Sequence, residues 1–70
     1  MYNVYVGKFK SAEDSKPALT KLNEKGYKGR CYNLGDFFSL RICSFGAYMD
    51  AYACLSKLLG KGFRAFIHNL

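Results

Sequence analysis

The residues able to do polar chemistry in this chain are few and unevenly spread. There are three arginines, Arg30, Arg41 and Arg64. A guanidinium fork grips a carboxylate or phosphate with two parallel hydrogen bonds. Tyr32 stands two residues after Arg30 and Phe66 two after Arg64, in a chain with six tyrosines and six phenylalanines. Flat rings pack on the apolar faces of sugars or stack on bases. Forks and rings together are binding chemistry. Candidates for catalysis are poorer. His68 is the only histidine. Glu13 and Asp14 are adjacent, so on a helix they point apart. Glu24, Asp36 and Asp50 fall near helix ends or in turns, and no two carboxylates form the facing pair that glycoside hydrolysis requires. Cys31, Cys43 and Cys54 are odd in number, irregularly spaced and without a C-x-x-C. That pattern is neither a disulfide framework nor a zinc site, and predicts reduced, mainly buried thiols. The expectation is a non-catalytic chain with no metal or other cofactor.

Seventy residues and 7.9 kDa make one small domain, 1–70. A chain of this size buries only about 60% of its unfolded surface. Half of the residues are apolar, a globular composition. The net charge of +6 favours a polyanion: nucleic acid, acidic glycan or an anionic membrane surface. The longest mostly apolar stretch, Ala51 to Leu59, falls far short of the roughly 20 residues that span a bilayer, so no membrane insertion is expected. Met1 to Lys10 alternates and carries two lysines, unlike a signal peptide. The chain therefore reads as a module of a longer protein, with any export signal elsewhere.

The elements that position these residues are legible in a repeat. Shifted by 36, Tyr2–Leu34 overlays Phe38–Leu70 without a gap, with nine identities in 33 pairs. They include Phe9/Phe45, Asp14/Asp50, Leu22/Leu58 and Gly26/Gly62. Tyr2–Val6 and Phe38–Ile42 alternate with period two and predict strands. Phe9 and Phe45 should close the core at the strand exits. Ser11 and Asp14 suggest a helix start of capping-box type. Ser15, Ala18, Leu19 and Leu22 then share a helical face, as do Ala51, Cys54, Leu55 and Leu58. Gly26 and Gly62 suit left-handed helix ends, with Tyr27 and Phe63 as the apolar contacts beyond. Second strands are expected over Lys28–Asn33 and Arg64–Asn69, and Gly35-Asp36 suits a tight hairpin. Pro17 conflicts with a helix interior, so the first helix should begin near Lys16 or bend. The order is βαββαβ, an α+β ferredoxin-like sandwich. One half cannot cover its own apolar face, so the two should share a four-stranded antiparallel sheet with both helices on one side.

Alternation then assigns the faces. Val4, Val6, Leu40 and Ile42 should meet the helices, with Gly29, Cys31, Ala65 and Ile67 beside them. Asn3, Tyr5, Ser39, Arg41 and Cys43 should point to the open side, joined by Arg30, Tyr32, Arg64, Phe66 and His68. Of these, Tyr5, Ser39, Arg41, Arg30, Tyr32, Arg64 and Phe66 form the expected binding site. An uncovered cluster of rings and arginines commonly marks a ligand surface.

Tyr2-Asn3-Val4-Tyr5-Val6-Gly7-Lys8-Phe9 resembles the opening of SPOR domains (sporulation-related repeat), which typically reads aromatic-x-Val-Gln-Val-Gly-x-Phe. Phe38-Ser39-Leu40-Arg41-Ile42-Cys43-Ser44-Phe45 is similar to its second copy. Gly26-Tyr27 and Gly62-Phe63 match the family's helix-to-strand junctions. Tyr5 stands where the family has Gln, and Cys43 where the second copy has Gly. The resemblance implies a βαββαβ domain whose open sheet face binds bacterial peptidoglycan. The preferred ligand would be glycan strands lacking stem peptides, at the cell wall in the envelope or outside the cell. It also implies attachment to a larger division protein, wall amidase or phage lysin. A stripped strand carries a lactyl carboxylate on each muramic acid, an extended polyanion suited to arginines and rings. The second reading is single-stranded nucleic acid, because the RNA-recognition fold has the same element order. Lys61-Gly62-Phe63-Arg64-Ala65-Phe66-Ile67 is close to its ring-bearing consensus, but Arg64 is an extra residue and the segment falls on the last strand. A protein-interaction module is the third.

Overall fold

The computed structural model describes residues 1–69. Its elements are β1 (Tyr2–Phe9), α1 (Ala12–Glu24), β2 (Arg30–Asn33), β3 (Phe38–Phe45), α2 (Tyr48–Gly60) and β4 (Ala65–Asn69). The sheet is antiparallel throughout, in the order β2-β3-β1-β4. Displaced by 36 residues, the bounds of β1 and α1 fall on those of β3 and α2. Each repeat sends its second strand to the other: β4 pairs with β1, and β2 with β3. Neither half is therefore a closed unit.

The α+β expectation holds. Val4, Val6 and Leu40 from the central strands meet Leu22 of α1 and Ala51 and Leu58 of α2 in one buried cluster. Full burial of a leucine contributes roughly 2 kcal/mol. No helix is long and apolar enough to cross a membrane among the described residues.

Both helices end the same way. The N–H of Gly26 donates to Asn23 O at 3.1 Å and that of Tyr27 to Leu22 O at 2.9 Å. In the second copy Gly62 donates to Leu59 O and Phe63 to Leu58 O, each at 3.1 Å. This paired pattern needs a left-handed residue after the cap. Gly26 and Gly62 supply it at φ 89° and 91°. The β2–β3 hairpin closes through Leu34 N–H to Phe37 O at 2.9 Å, and the Asn33 side chain accepts from Gly35 N–H.

Four expectations need correction. α1 begins at Ala12, capped by the Ser11 hydroxyl, which accepts from Asp14 N–H at 3.3 Å, so of the two expectations for Pro17 the later start near Lys16 fails and the proline lies inside the helix. β2 begins at Arg30 rather than Lys28. β4 begins at Ala65 rather than Arg64. Finally, Cys43 faces the helices, not the open side. Val4 pairs with Cys43 and Tyr5 with Arg41, so Ile42 is an extra residue in β3. Such a bulge breaks the alternation. Ile42, Cys43 and Phe45 consequently all pack on the core.

A second irregularity sits in β1, where Val6 pairs with Leu40 but Phe9 with Phe38. Gly7 and Lys8 together oppose Ser39. Gly7 has φ 77°, and a Cβ there would lie 2.4 Å from the Phe9 ring. Only glycine meets both conditions. The bulge turns Phe9 onto the helix side, where it packs on the core as expected.

Candidate functional site

The side of the sheet away from the helices is formed by all four strands. Direct pairing sets Tyr5 between Arg41 of β3 and Phe66 of β4, Asn3 beside His68, and Arg30 and Tyr32 of β2 opposite Arg41 and Ser39. The aromatic part lies over β1 and β4. The Tyr5 and Phe66 rings stack with centroids 5.7 Å apart, and His68 stands edge-on to Tyr5 at 5.9 Å. Phe37, in the β2–β3 turn, meets Phe66 edge-on at 6.0 Å. Lys8 Nζ sits 5.2 Å from the Phe37 centroid and 5.6 Å from that of Phe66, a cation–π arrangement. The cationic part lies over β2 and β3. Arg41 is stacked 4.3 Å from the Tyr32 centroid and donates to its hydroxyl at 2.7 Å.

Burial separates the surface from its support. Tyr5 is 1% exposed and Ser39 0%. The Ser39 hydroxyl is shared between Gly7 O at 2.6 Å and Val6 O at 3.1 Å, which stitches β3 to the β1 bulge. Both residues lie where alternation placed them, yet neither offers surface. Asn3 is also buried and accepts from the Ser44 hydroxyl. The accessible groups are Phe66, Phe37, Tyr32 and Arg41, all half-buried, with Arg30 and Lys8 exposed. Arg64 stands apart. It precedes β4, its carbonyl accepts from Gly7 N–H at 2.7 Å, and it borders a groove with Lys21, Lys25 and Lys61.

Arg30 and Arg41 lie directly opposite across the β2–β3 ladder. Like charges so placed destabilise a sheet. No strand carries a carboxylate: Glu13, Asp14 and Glu24 are on α1, Asp36 is in the turn and Asp50 is on α2. The ion pair found among the described residues, Lys16–Glu13, lies on α1. Among the described residues the arginine pair has no ion-pair partner, an arrangement suited to an external anion.

Nucleophilic chemistry finds no constellation on this face. His68 Nδ1 is buried without a hydrogen-bond partner among the described residues. Cys43 lies on the opposite side of the sheet from it. No cluster of three or more potential metal ligands occurs among the described residues.

Alternation correctly oriented Tyr5, Arg41, Arg30, Tyr32 and Phe66, but missed Lys8 and Phe37. Strict period two sends Lys8 to the helices, and the bulge reverses it. Gly7 was the available signal, since a glycine within a strand often marks a bulge. Phe37 carried none. No protein-family model, curated protein or solved structure matches the chain.

Proposed function

We propose that the uncovered sheet face binds an extended anionic glycan, specifically peptidoglycan strands freed of their stem peptides. In this reading the domain is a non-catalytic module at the cell wall that directs an attached hydrolase or division protein. The observation that carries it is the facing pair Arg30 and Arg41, without an ion-pair partner among the described residues, beside accessible rings. Arg30, Arg41 and Lys8 pair with successive lactyl carboxylates. Phe66, Phe37 and Tyr32 lie against sugar rings. Tyr5 and Ser39 hold the surface from beneath, so Tyr5 acts by supporting Phe66 and not by direct contact. The resemblance of both copies to the SPOR repeat adds to this reading.

Sedimentation with purified sacculi tests it. One sample is intact and another is stripped by an amidase, with single-stranded RNA as soluble competitor. Binding should rise on stripping and persist in RNA. Arg41→Ala and Phe66→Ala should each weaken it about tenfold, the scale of one charge-assisted bond or one stacked ring. Absence of binding to both wall samples overturns the proposal. Displacement by RNA transfers the same face to nucleic acid.

A further inference from the structure

The three cysteines are not equivalent in space. Cys31 of β2 pairs with Leu40 at the far side of the sheet from β4. Cys43 and Cys54 are brought together. The β3 bulge turns Cys43 toward the helices, and Cys54 sits one turn beyond Ala51 on the α2 face that packs on the core. Both thiols line a single groove with Ile42, Phe45, Asp50 and Lys57. Cys54 is close enough to Cys43 to perturb its thiol.

We infer that Cys43 and Cys54 form a modification site, a latent disulfide joining β3 to α2, and that Cys31 is the unpaired thiol. This resolves the odd cysteine count, which by spacing alone suggested no pairing. The oxidant is a low-molecular-weight disulfide such as oxidised glutathione. Burial and the neighbouring Cys54 push the Cys43 thiol up to about 12, so Cys43 stays protonated at neutral pH. One thiol of the pair attacks first. Its thiolate forms a mixed disulfide and expels one small thiolate. The other thiol then loses its proton to solvent, or to that thiolate, and attacks the sulfur of the first. The second small thiolate leaves. The protein loses two electrons and two protons, and one small disulfide becomes two small thiols. The inference does not depend on the glycan reading, because the thiols and the candidate ligand face are on opposite sides of the sheet.

The test uses the whole chain, incubated with oxidised glutathione and analysed without reduction. The intact mass should fall by about 2 Da, the loss of two hydrogens in that exchange. Peptide mapping should link Cys43 to Cys54 and leave one thiol free for alkylation. The thermal midpoint should rise by roughly 10 °C and return on reduction, as expected for a cross-link that closes a short loop in a domain of this size. Cys31→Ser should keep the mass loss, while Cys43→Ala and Cys54→Ala should each abolish it. Oxidation that yields only glutathione adducts, or dimers linked through Cys31, overturns the inference. So does a linkage that includes Cys31 within the chain.

Discussion

β1 and β3 are copies of one strand, and they leave the sheet by different means. In β1 the exit is made by Gly7, whose positive φ lets Lys8 swing to the open side and Phe9 to the core. At the equivalent place β3 has Cys43, with no positive φ, and achieves the same inward turn of Phe45 by bulging at Ile42. Two local solutions serve one requirement: a ring must close the core where the helix begins. The consequences differ. The first exit delivers a lysine to the open face of the sheet, and the second delivers a thiol to the helix side. The helices diverge too. α2 exposes Tyr48, Met49, Tyr52 and Leu59, where α1 has Ala12, Glu13, Lys16 and Asn23. The helices thus share the buried Leu22/Leu58 position and the exposed Lys21/Lys57 and Lys25/Lys61, but differ in polarity at these four outer positions.

The two exits should differ most in what they tolerate. Gly7→Ala should cost about 3 kcal/mol in urea unfolding, from left-handed strain plus displacement of the Phe9 ring. Cys43→Ala should cost only about 1 kcal/mol, a typical loss for trimming a half-buried side chain. Equal losses would mean that the two exits are under the same constraint.

The middle of the helices comes next. Pro17 in α1 stands where α2 has Ala53. Pro17→Ala should stabilise the chain by about 2 kcal/mol, because it restores an interior donor and removes the clash with the carbonyl four residues back. Ala53→Pro should destabilise it by about 3 kcal/mol. A neutral Pro17→Ala would show that α1 has adapted fully to its proline.

The smallest effects lie at the helix starts. Ser11 caps α1, whereas Ala47 offers α2 no side-chain acceptor. Ser11→Ala should lower, and Ala47→Ser should raise, the unfolding free energy by about 1 kcal/mol each. Thermal midpoints of the two variants should therefore move in opposite directions.

Much of the fold was legible because its signals are local. Period-two runs marked β1 and β3, and Gly26 and Gly62 marked both helix ends. The repeat itself demanded a shared sheet. Pro17 misplaced the helix start for an instructive reason. Local propensity resists a proline in a helix, but packing of Ser15, Ala18, Leu19 and Leu22 on the sheet holds α1 across it. The candidate site was legible as a face and less so as a surface. Alternation says which side Tyr5 occupies, but not that Phe66, His68 and its other neighbours leave it 1% exposed.

By itself the sequence determined the element order, the helix caps and the side of the sheet for most strand residues. Each of these depends on a few neighbours along the chain. Tertiary structure alone decided that each repeat lends its second strand to the other, that bulges bring Lys8 to one side and Cys43 to the other, and that Arg30 faces Arg41. Those outcomes depend on register between strands distant in the chain, where one extra residue reverses every side chain beyond it.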